Sequence, residues 1–454
     1  MNARHQSADT SSTLVARGGV WISGAAGAFL YFISDDRPVM VMGLSIVLIS
    51  VVFESIRSEA VALAVIFICS GMAGAKFHLH GLVILPEHVA LVVVTAGILY
   101  RSLKSPVDKI SASISNFSIP TFLLIAWILL ALVTSVGVSP DQVQSLRLVG
   151  WLTVSASAMP VVCLLRLNRH QVAIVLSACT LVYAAVSTTG WLLSQVNGSI
   201  SVFTERDYST GFLRAQGLMP EPNLAASYIV LSCAIIAPMA SEVPKVLSIS
   251  TLAISSTLVF LTFTRTAWLL MAFVIAVFLW RLRSPVTIAA SGLVAIIGAL
   301  VWPRMAPTLG FDRSFSQIFS TRANALVSLD SGTGLSRSIT AQTAWAEISQ
   351  TGWIFGRGLN SYPQTHFNYL ASDGRDYLSL WWLQLVYDTG IPGFLIFSGA
   401  ILSFLFCIGA LGLPFVICLV IAATATNPFW FGYPWLLAGA LVRIKMAASE
   451  ARGA

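Results

Sequence analysis

The sequence predicts an all-α, polytopic integral membrane protein, and three observations carry that expectation. Of its 454 residues, 56% are hydrophobic and only 10% are charged, whereas about a quarter of a soluble domain is charged. Mean hydropathy is +0.82. Apolar runs near bilayer length recur along the chain, separated by short basic loops.

A helix needs about 20 apolar residues to cross the hydrocarbon, with about 17 a practical lower limit. The runs that approach this length are 19–34, 38–53, 60–75, 82–100, 118–138, 148–165, 171–195, 223–240, 246–263, 266–280, 285–302, 391–410, 413–427 and 430–442. Several are short, so about 12–14 spans are expected. The first run follows a polar N-terminus and is succeeded almost at once by another, which favours a retained helix over a cleaved signal peptide.

Sidedness follows from lysine and arginine in the short loops. With the N-terminus inside, the short cytoplasmic loops hold about three times as many as the short outer ones, the sense of the positive-inside bias. Both termini are then cytoplasmic. The loop 196–222, the turn 264–266, the interval 303–376 and the turn 427–434 face outward, into the periplasm of a bacterium whose inner membrane holds the chain. The expected organisation is an N-terminal transmembrane part, 1–302, containing the loop 196–222. A large periplasmic loop domain, 303–376, follows, and then 377–454 with an interfacial helix and the last transmembrane helices. The net charge of +7 is accounted for by these topology-setting loops, so no nucleic-acid partner is inferred. All six cysteines fall within apolar runs and read as small buried hydrophobes.

Within the long loop, Ser336–Gln350 is expected to be helical, with Ser336 as N-cap and Ala341, Trp345 and Ile348 on one face. Tyr377–Asp388 is apolar and aromatic, but at about 18 Å of helix it is too short to cross. Gly390, Pro392 and Gly393 break it from the following span. It is expected to lie at the outer interface, with Trp381, Trp382 and Tyr387 as belt aromatics.

Arginines dominate the candidate chemistry. Arg265 sits between two apolar runs in TFTRTAW with no acid near it in sequence, and an arginine so close to hydrocarbon is costly unless it meets a partner or a watery cavity. Arg214 precedes a span in FLRAQGLMPEPN, where Pro222 and Asn223 are helix-start residues and Glu221 a favourable charge at that helix N-terminus. Arg337 and Arg357 lie in the long loop. Arginines from separate loops on one face suit a polyanion, because guanidinium binds phosphate oxygens in pairs and keeps its charge near lipid. A lipid-linked pyrophosphate is the polyanion that a membrane offers there.

His366 is the histidine of the long loop, and Asp376 and Asp388 flank the interfacial helix; each can be a base or merely a loop or cap residue. Glu87, His88, Asp35 and Asp36 are weaker candidates. The chain has no HExxH, Walker loop, GxSxG or DxD pair, so no metal site and no cofactor is expected.

These stretches, FLRAQGLMPEPN, TFTRTAW, LSRSITAQTAW, GRGLNSY and YLSLWWLQLVYDTGIPG, in that order over about residues 205–395, resemble the bacterial O-antigen ligase and Wzy-type polysaccharide polymerase superfamily. The resemblance implies a C-type membrane glycosyltransferase that works without a metal. It would move a glycan from an undecaprenyl-pyrophosphate carrier to an acceptor sugar hydroxyl, of a glycan or a lipid, in the periplasm. It also implies Arg214 and Arg265 on the departing pyrophosphate and a general base on the acceptor; Arg337 and Arg357, as loop guanidiniums, either join that site or are solvated surface residues. Many members carry a His-Asn pair eleven positions before the closing Gly, and counting back from Gly390 reaches Ser379. His366 from a shifted position, Asp376, or no histidine base at all are then the alternatives. The absent pair tilts the reading toward a polymerase of O-antigen or exopolysaccharide repeat units, with a ligase to lipid A core as the alternative. Membrane lipids and a chain-length regulator are the further partners considered. A transporter or a non-catalytic scaffold is the more remote reading, since neither an internal repeat nor midplane charges are evident.

Overall fold

The structure is a computed structural model that describes residues 54, 58–79, 82–104, 117–196, 201–206, 213–282, 333–351, 354–367 and 376–453. The expected spans 19–34, 38–53 and 285–302, with Asp35 and Asp36, lie outside the described residues.

The described chain is almost wholly helical. In order it forms α1 (Glu59–Ser70), the hairpin β1 (Phe77–Leu79) and β2 (Leu82–Ile84), α2 (Pro86–Lys104), α3 (Ser118–Gly137), α4 (Gln142–Ala156), α5 (Ala158–Cys163) and α6 (Arg169–Val196). There follow the hairpin β3 (Thr204–Arg206) and β4 (Leu213–Ala215), α7 (Pro222–Ile236), α8 (Lys245–Leu261) and α9 (Arg265–Leu282). After the gap come α10 (Thr333–Thr351), α11 (Tyr362–Thr365), α12 (Trp381–Ile408), α13 (Leu413–Ala422) and α14 (Gly432–Gly453). Among the described residues six helices are long and apolar enough to cross a membrane: Ser118–Gly137, Gln142–Cys163, Arg169–Gln195, Pro222–Met239, Arg265–Leu282 and Trp381–Leu411. The protein is a polytopic, all-α membrane protein.

Helix α7 is the axis of the bundle. It is buried over nearly its whole length, and its small residues Ala225, Ala226 and Ser227 let neighbouring backbones come close. Helices α6, α8, α9, α13 and α14 surround it. Tyr228 donates to the Phe67 carbonyl at 2.9 Å, and Tyr433 is 3.1 Å from the Ser227 hydroxyl. Helix α3 is peripheral: Ile119, Phe122, Ile125, Leu129, Val133 and Val136 are exposed at helical spacing, the apolar stripe expected of a lipid-facing surface. The six cysteines are free, three of them buried.

The expected break in the closing motif is present. Helix α12 is kinked at Gly390, whose φ of 72° and ψ of −178° are not helical, a backbone that glycine adopts without steric cost. The segment 354–360 lies across this kink. Arg357 N–H donates to the Tyr387 carbonyl at 2.8 Å, Gly358 N–H to the Asp388 carbonyl at 3.0 Å, and Asn360 N–H to the Asp388 carboxylate at 2.8 Å. A Cβ on Gly356 would stand 2.1 Å from the Asp388 carbonyl oxygen, so backbone meets backbone there. The belt reading of 377–388 is corrected: Tyr387 is buried under this cover, Trp381 is buried against Phe394, Phe397 and Phe429, and Trp382 alone of the three stays partly exposed, edge-on to Trp345.

Helix α10 begins at Thr333, earlier than the expected Ser336. Its buried face carries Thr340, Ala344 and Ile348, while Trp345 is half exposed. Ala344 and Ile348 join Tyr362, Leu378, Leu383, Val386 and Tyr387 in a small hydrophobic cluster apart from the main core.

Candidate functional site

Three arginines from three separate segments meet at one end of the bundle. Arg214 lies on β4, directly opposite Glu205 on β3. That hairpin is pinned by Trp191, whose indole donates to the Leu213 carbonyl at 2.8 Å, and by Gln216 N–H on the Phe203 carbonyl at 3.0 Å. From there Arg214 reaches the turn between α8 and α9: Nε donates to the Thr262 carbonyl at 2.9 Å, and a terminal nitrogen lies 3.4 Å from Thr264 Oγ1 and 3.3 Å from Asn223 Oδ1. The turn itself is tight. Phe263 is buried with a φ of 53°, a conformation costly for a bulky residue and one that tends to mark functional turns. It stops α8 and starts α9 at Arg265, immediately beside the residues that hold Arg214.

Arg337 completes the trio from the first turns of α10. Its guanidinium is drawn below the ordinary arginine range, first because it is largely withdrawn from water; Glu221 opposes that effect and Arg265 adds to it by like-charge repulsion. Arg337, Arg265 and Glu221 are therefore electrostatic neighbours. Glu221 is itself held by Thr426, whose hydroxyl donates to Oε1 at 2.8 Å. Thr264 Oγ1 donates to Asn223 Oδ1 at 3.0 Å, which ties the start of α9 to the start of α7. Three helices thus begin around the cluster, and helix starts carry partial positive charge and unsatisfied N–H groups. Glu205 stands opposite Arg214 across the hairpin and Glu221 acts on Arg337, and the three guanidiniums beside these helix starts suit a bound anion.

The other predicted residues lie farther along α10. Arg337, Thr340, Ala344 and Glu347 share one helical face. Thr340 Oγ1 donates to Asp376 Oδ2 at 2.9 Å, so the Asp376 carboxylate sits one helical turn from Arg337. Asp376 N–H donates to the His366 carbonyl at 3.1 Å. The ring of His366 stacks on Tyr362 with centroids 3.8 Å apart. Its Nε2 is 2.8 Å from Glu347 Oε1, and Nδ1 lies 3.1 Å from the Tyr362 carbonyl and 3.0 Å from Thr365 Oγ1. Both ring nitrogens are engaged within the protein, which leaves no lone pair turned outward.

Arg357 does not join the other arginines. One of its terminal nitrogens donates to Glu347 Oε2 at 2.5 Å and to the Tyr387 hydroxyl at 3.0 Å, and the guanidinium lies 5.3 Å from the Tyr387 ring centre. Helical rise puts Glu347 about 15 Å from Arg337 along α10. Tyr362 stands between the two carboxylates: burial raises its phenol above the ordinary range, and the charges of Asp376 and then Glu347 add to the rise.

The sequence did not single out Glu347, Thr340 or Tyr362, and it marked Tyr387 only as a belt aromatic. Glu347 is the only acid of α10, and its spacing of seven from Thr340 is the one sequence signal for it. Glu87 is structural: its carboxylate accepts from Gly432 N–H at 2.9 and 3.0 Å and from Ser155 at 3.2 Å, capping the start of α14.

No curated protein and no solved structure matches the chain. Residues 250–398 match the family model Wzy_C, described as O-antigen ligase. That stretch runs from within α8 to beyond the kink of α12 and encloses Arg265, Arg337, Glu347, Arg357, His366 and Asp376, with Arg214 before it. The match is to residues 250–398 of the 454, and it supports the O-antigen ligase and Wzy-type superfamily for the part of the chain that carries these side chains.

Proposed function

We propose that this protein transfers a glycan from an undecaprenyl-pyrophosphate carrier to an acceptor sugar hydroxyl on the periplasmic face of a bacterial inner membrane, and that it polymerises repeat units. The observation that carries the reading is the meeting of Arg214, Arg265 and Arg337 at the starts of α7, α9 and α10, with Arg337 feeling both Arg265 and Glu221. A diphosphate held there would be stabilised most when the glycosidic bond breaks and its charge grows. Guanidinium charge does in this scheme what a metal ion does elsewhere, so the transfer needs no metal.

Asp376 is the base of this scheme. Its carboxylate lies one turn of α10 from Arg337 and accepts from Thr340 on Oδ2 and from Tyr377 N–H on Oδ1, which leaves each oxygen a further lone pair, whereas both nitrogens of His366 are committed to protein partners. The acceptor oxygen forms the new bond to the anomeric carbon, the bond to the pyrophosphate breaks, and the hydroxyl proton passes to Asp376. The lipid pyrophosphate leaves on the arginines.

Ligation of a finished glycan to lipid A core is the second reading, favoured by the description of the matching family model. Ser379 at the position of the family's histidine favours polymerisation. Purified protein given a defined lipid-linked repeat unit should yield a ladder of longer lipid-linked products. Absence of elongation, with full-length glycan moved intact to an added lipid A core, would make it a ligase. A deletion strain separates the two again: single repeats retained mark a polymerase, full-length chains stranded on the carrier a ligase.

A further inference from the structure

The geometry points to Glu347 as the positioning residue of this transfer, a clamp that sets Asp376 at its working distance from the arginine cluster. The inference rests on the assignment of Asp376 as base.

Glu347 collects partners from three directions. Arg357, from the segment that crosses the α12 kink, and Tyr387, from α12 itself, both donate to Oε2, at 2.5 and 2.7 Å. His366, just beyond α11, is 2.8 Å from Oε1. One carboxylate thus fastens α10, the segment 354–367 and the outer half of α12 to each other. Charge-assisted bonds of this kind are roughly twice as strong as neutral ones and are directional.

The route from Glu347 to the base is short. It orients the His366 ring, which also lies parallel to Tyr362 with an interplanar angle of 1°. The backbone carbonyl of the same His366 accepts from Asp376 N–H at 3.1 Å. The Asp376 side chain is held by Tyr377 N–H on Oδ1 at 3.1 Å and by Thr340 on Oδ2, the latter on the same face of α10 as Glu347 and Arg337. A single rigid helix therefore carries the phosphate-binding arginine at one end, the hydroxyl that grips the base one turn on, and the carboxylate that fixes the base's loop about 15 Å from the start of the series. Distances along it are set by helical rise and not by loop conformation. Without the Glu347 charge, Arg357 and His366 lose their shared acceptor and the His366–Asp376 link slackens. A displacement of about 1 Å at a reacting group can cost about 100-fold in rate.

The test is a cycle of Glu347→Gln, Asp376→Asn and the double variant. The full-length protein is assayed with the lipid-linked glycan that accumulates in cells lacking it. Glu347→Gln is expected to lower kcat about 30-fold while KM for the donor stays within about twofold, because the arginines that hold the donor are untouched. Asp376→Asn is expected to cost about 100-fold or more. The double variant is expected to match Asp376→Asn alone, since a group that acts through the base has nothing left to act on.

A further loss of about 30-fold in the double variant would show that Glu347 acts independently of Asp376, and a rise in donor KM with kcat intact would show that it serves donor binding; either overturns the inference. A wild-type rate in Asp376→Asn sinks the base assignment, and the route through Asp376 with it, whatever Glu347→Gln does. Should Glu347→Gln fail to accumulate, His366→Asn removes only the ring link and must give the same loss confined to kcat.

Discussion

The two ends of the helix bundle treat arginine differently. Where α2 finishes and α6 begins, three arginines each have an acid: Arg101 lies 3.9 Å from Glu59, Arg169 pairs with Glu242, and Arg443 holds Glu450 through both terminal nitrogens at 3.0 and 2.9 Å. Arg443 also donates through Nε to the Leu167 carbonyl at 2.7 Å. At the other end Arg337 feels both Glu221 and Arg265, and Arg214, with Glu205 opposite it, reaches the turn that starts at Thr262 and leads into Arg265. A guanidinium whose donors are consumed one-to-one by protein acceptors is structural. Guanidiniums from separate segments brought close enough to feel one another, as Arg337 and Arg265 are, suit a shared anionic ligand, whose charge would relieve their repulsion.

Removing a member of the crowded group should have the largest effect on transfer. Arg337→Ala is expected to slow glycan transfer by about 10²–10³-fold in protein that still inserts and accumulates, measured as initial rate per folded molecule. A rate within twofold of wild type would erase the distinction between the two ends. The next effect is smaller and of opposite sense. Glu221→Gln takes a negative charge out of the cluster and should tighten the binding of inorganic pyrophosphate by about fivefold, about 1 kcal/mol, read by calorimetry on the purified protein. Weaker binding would mean that Glu221 aligns the arginines more than it opposes the anion. The smallest effect on catalysis belongs to the paired end. Arg443→Ala should leave the rate per folded molecule unchanged and lower stability by about 2 kcal/mol, the scale of lost hydrogen bonds to a charged group, seen as a lower melting temperature.

Much of this was legible beforehand, and the pattern of what was not has physical causes. At Ser118–Gly137 and Arg265–Leu282 helix ends fell close to the expected spans because a bilayer imposes a length that composition reveals, whereas the expected span 82–100 opens with β2 and 413–427 holds only the short helix Leu413–Ala422. The arginine cluster was legible because Arg265 between two apolar runs has no local excuse, and segments expected on one side of the membrane had somewhere to meet. Glu347 was not legible. Its partners Arg357, His366 and Tyr387 lie ten, nineteen and forty positions away, and only the fold brings them together. Periodicity misled on α10 for a related reason: Thr340 and Arg337 share its inward side with Ala344, so the polar residues that matter sit where an apolar stripe was sought. Trp381 and Tyr387 were misread because aromatics near a membrane surface suit lipid and protein cover equally; 354–360 covers Tyr387, and Phe394, Phe397 and Phe429 cover Trp381.

The bare seam where Gly356 lies on the backbone of Asp388, and where Gly390 in turn would press a side chain into the Ile354 carbonyl at 2.3 Å, has an evolutionary corollary. Two surfaces that fit with no side chain between them cannot drift separately, because any bulk acquired on one has no room on the other. Exchange between related proteins should therefore respect 333–408 as a block: a graft that imports the outer segment without its matching bend in α12 would seat poorly, while one that carries both would bring its own fit.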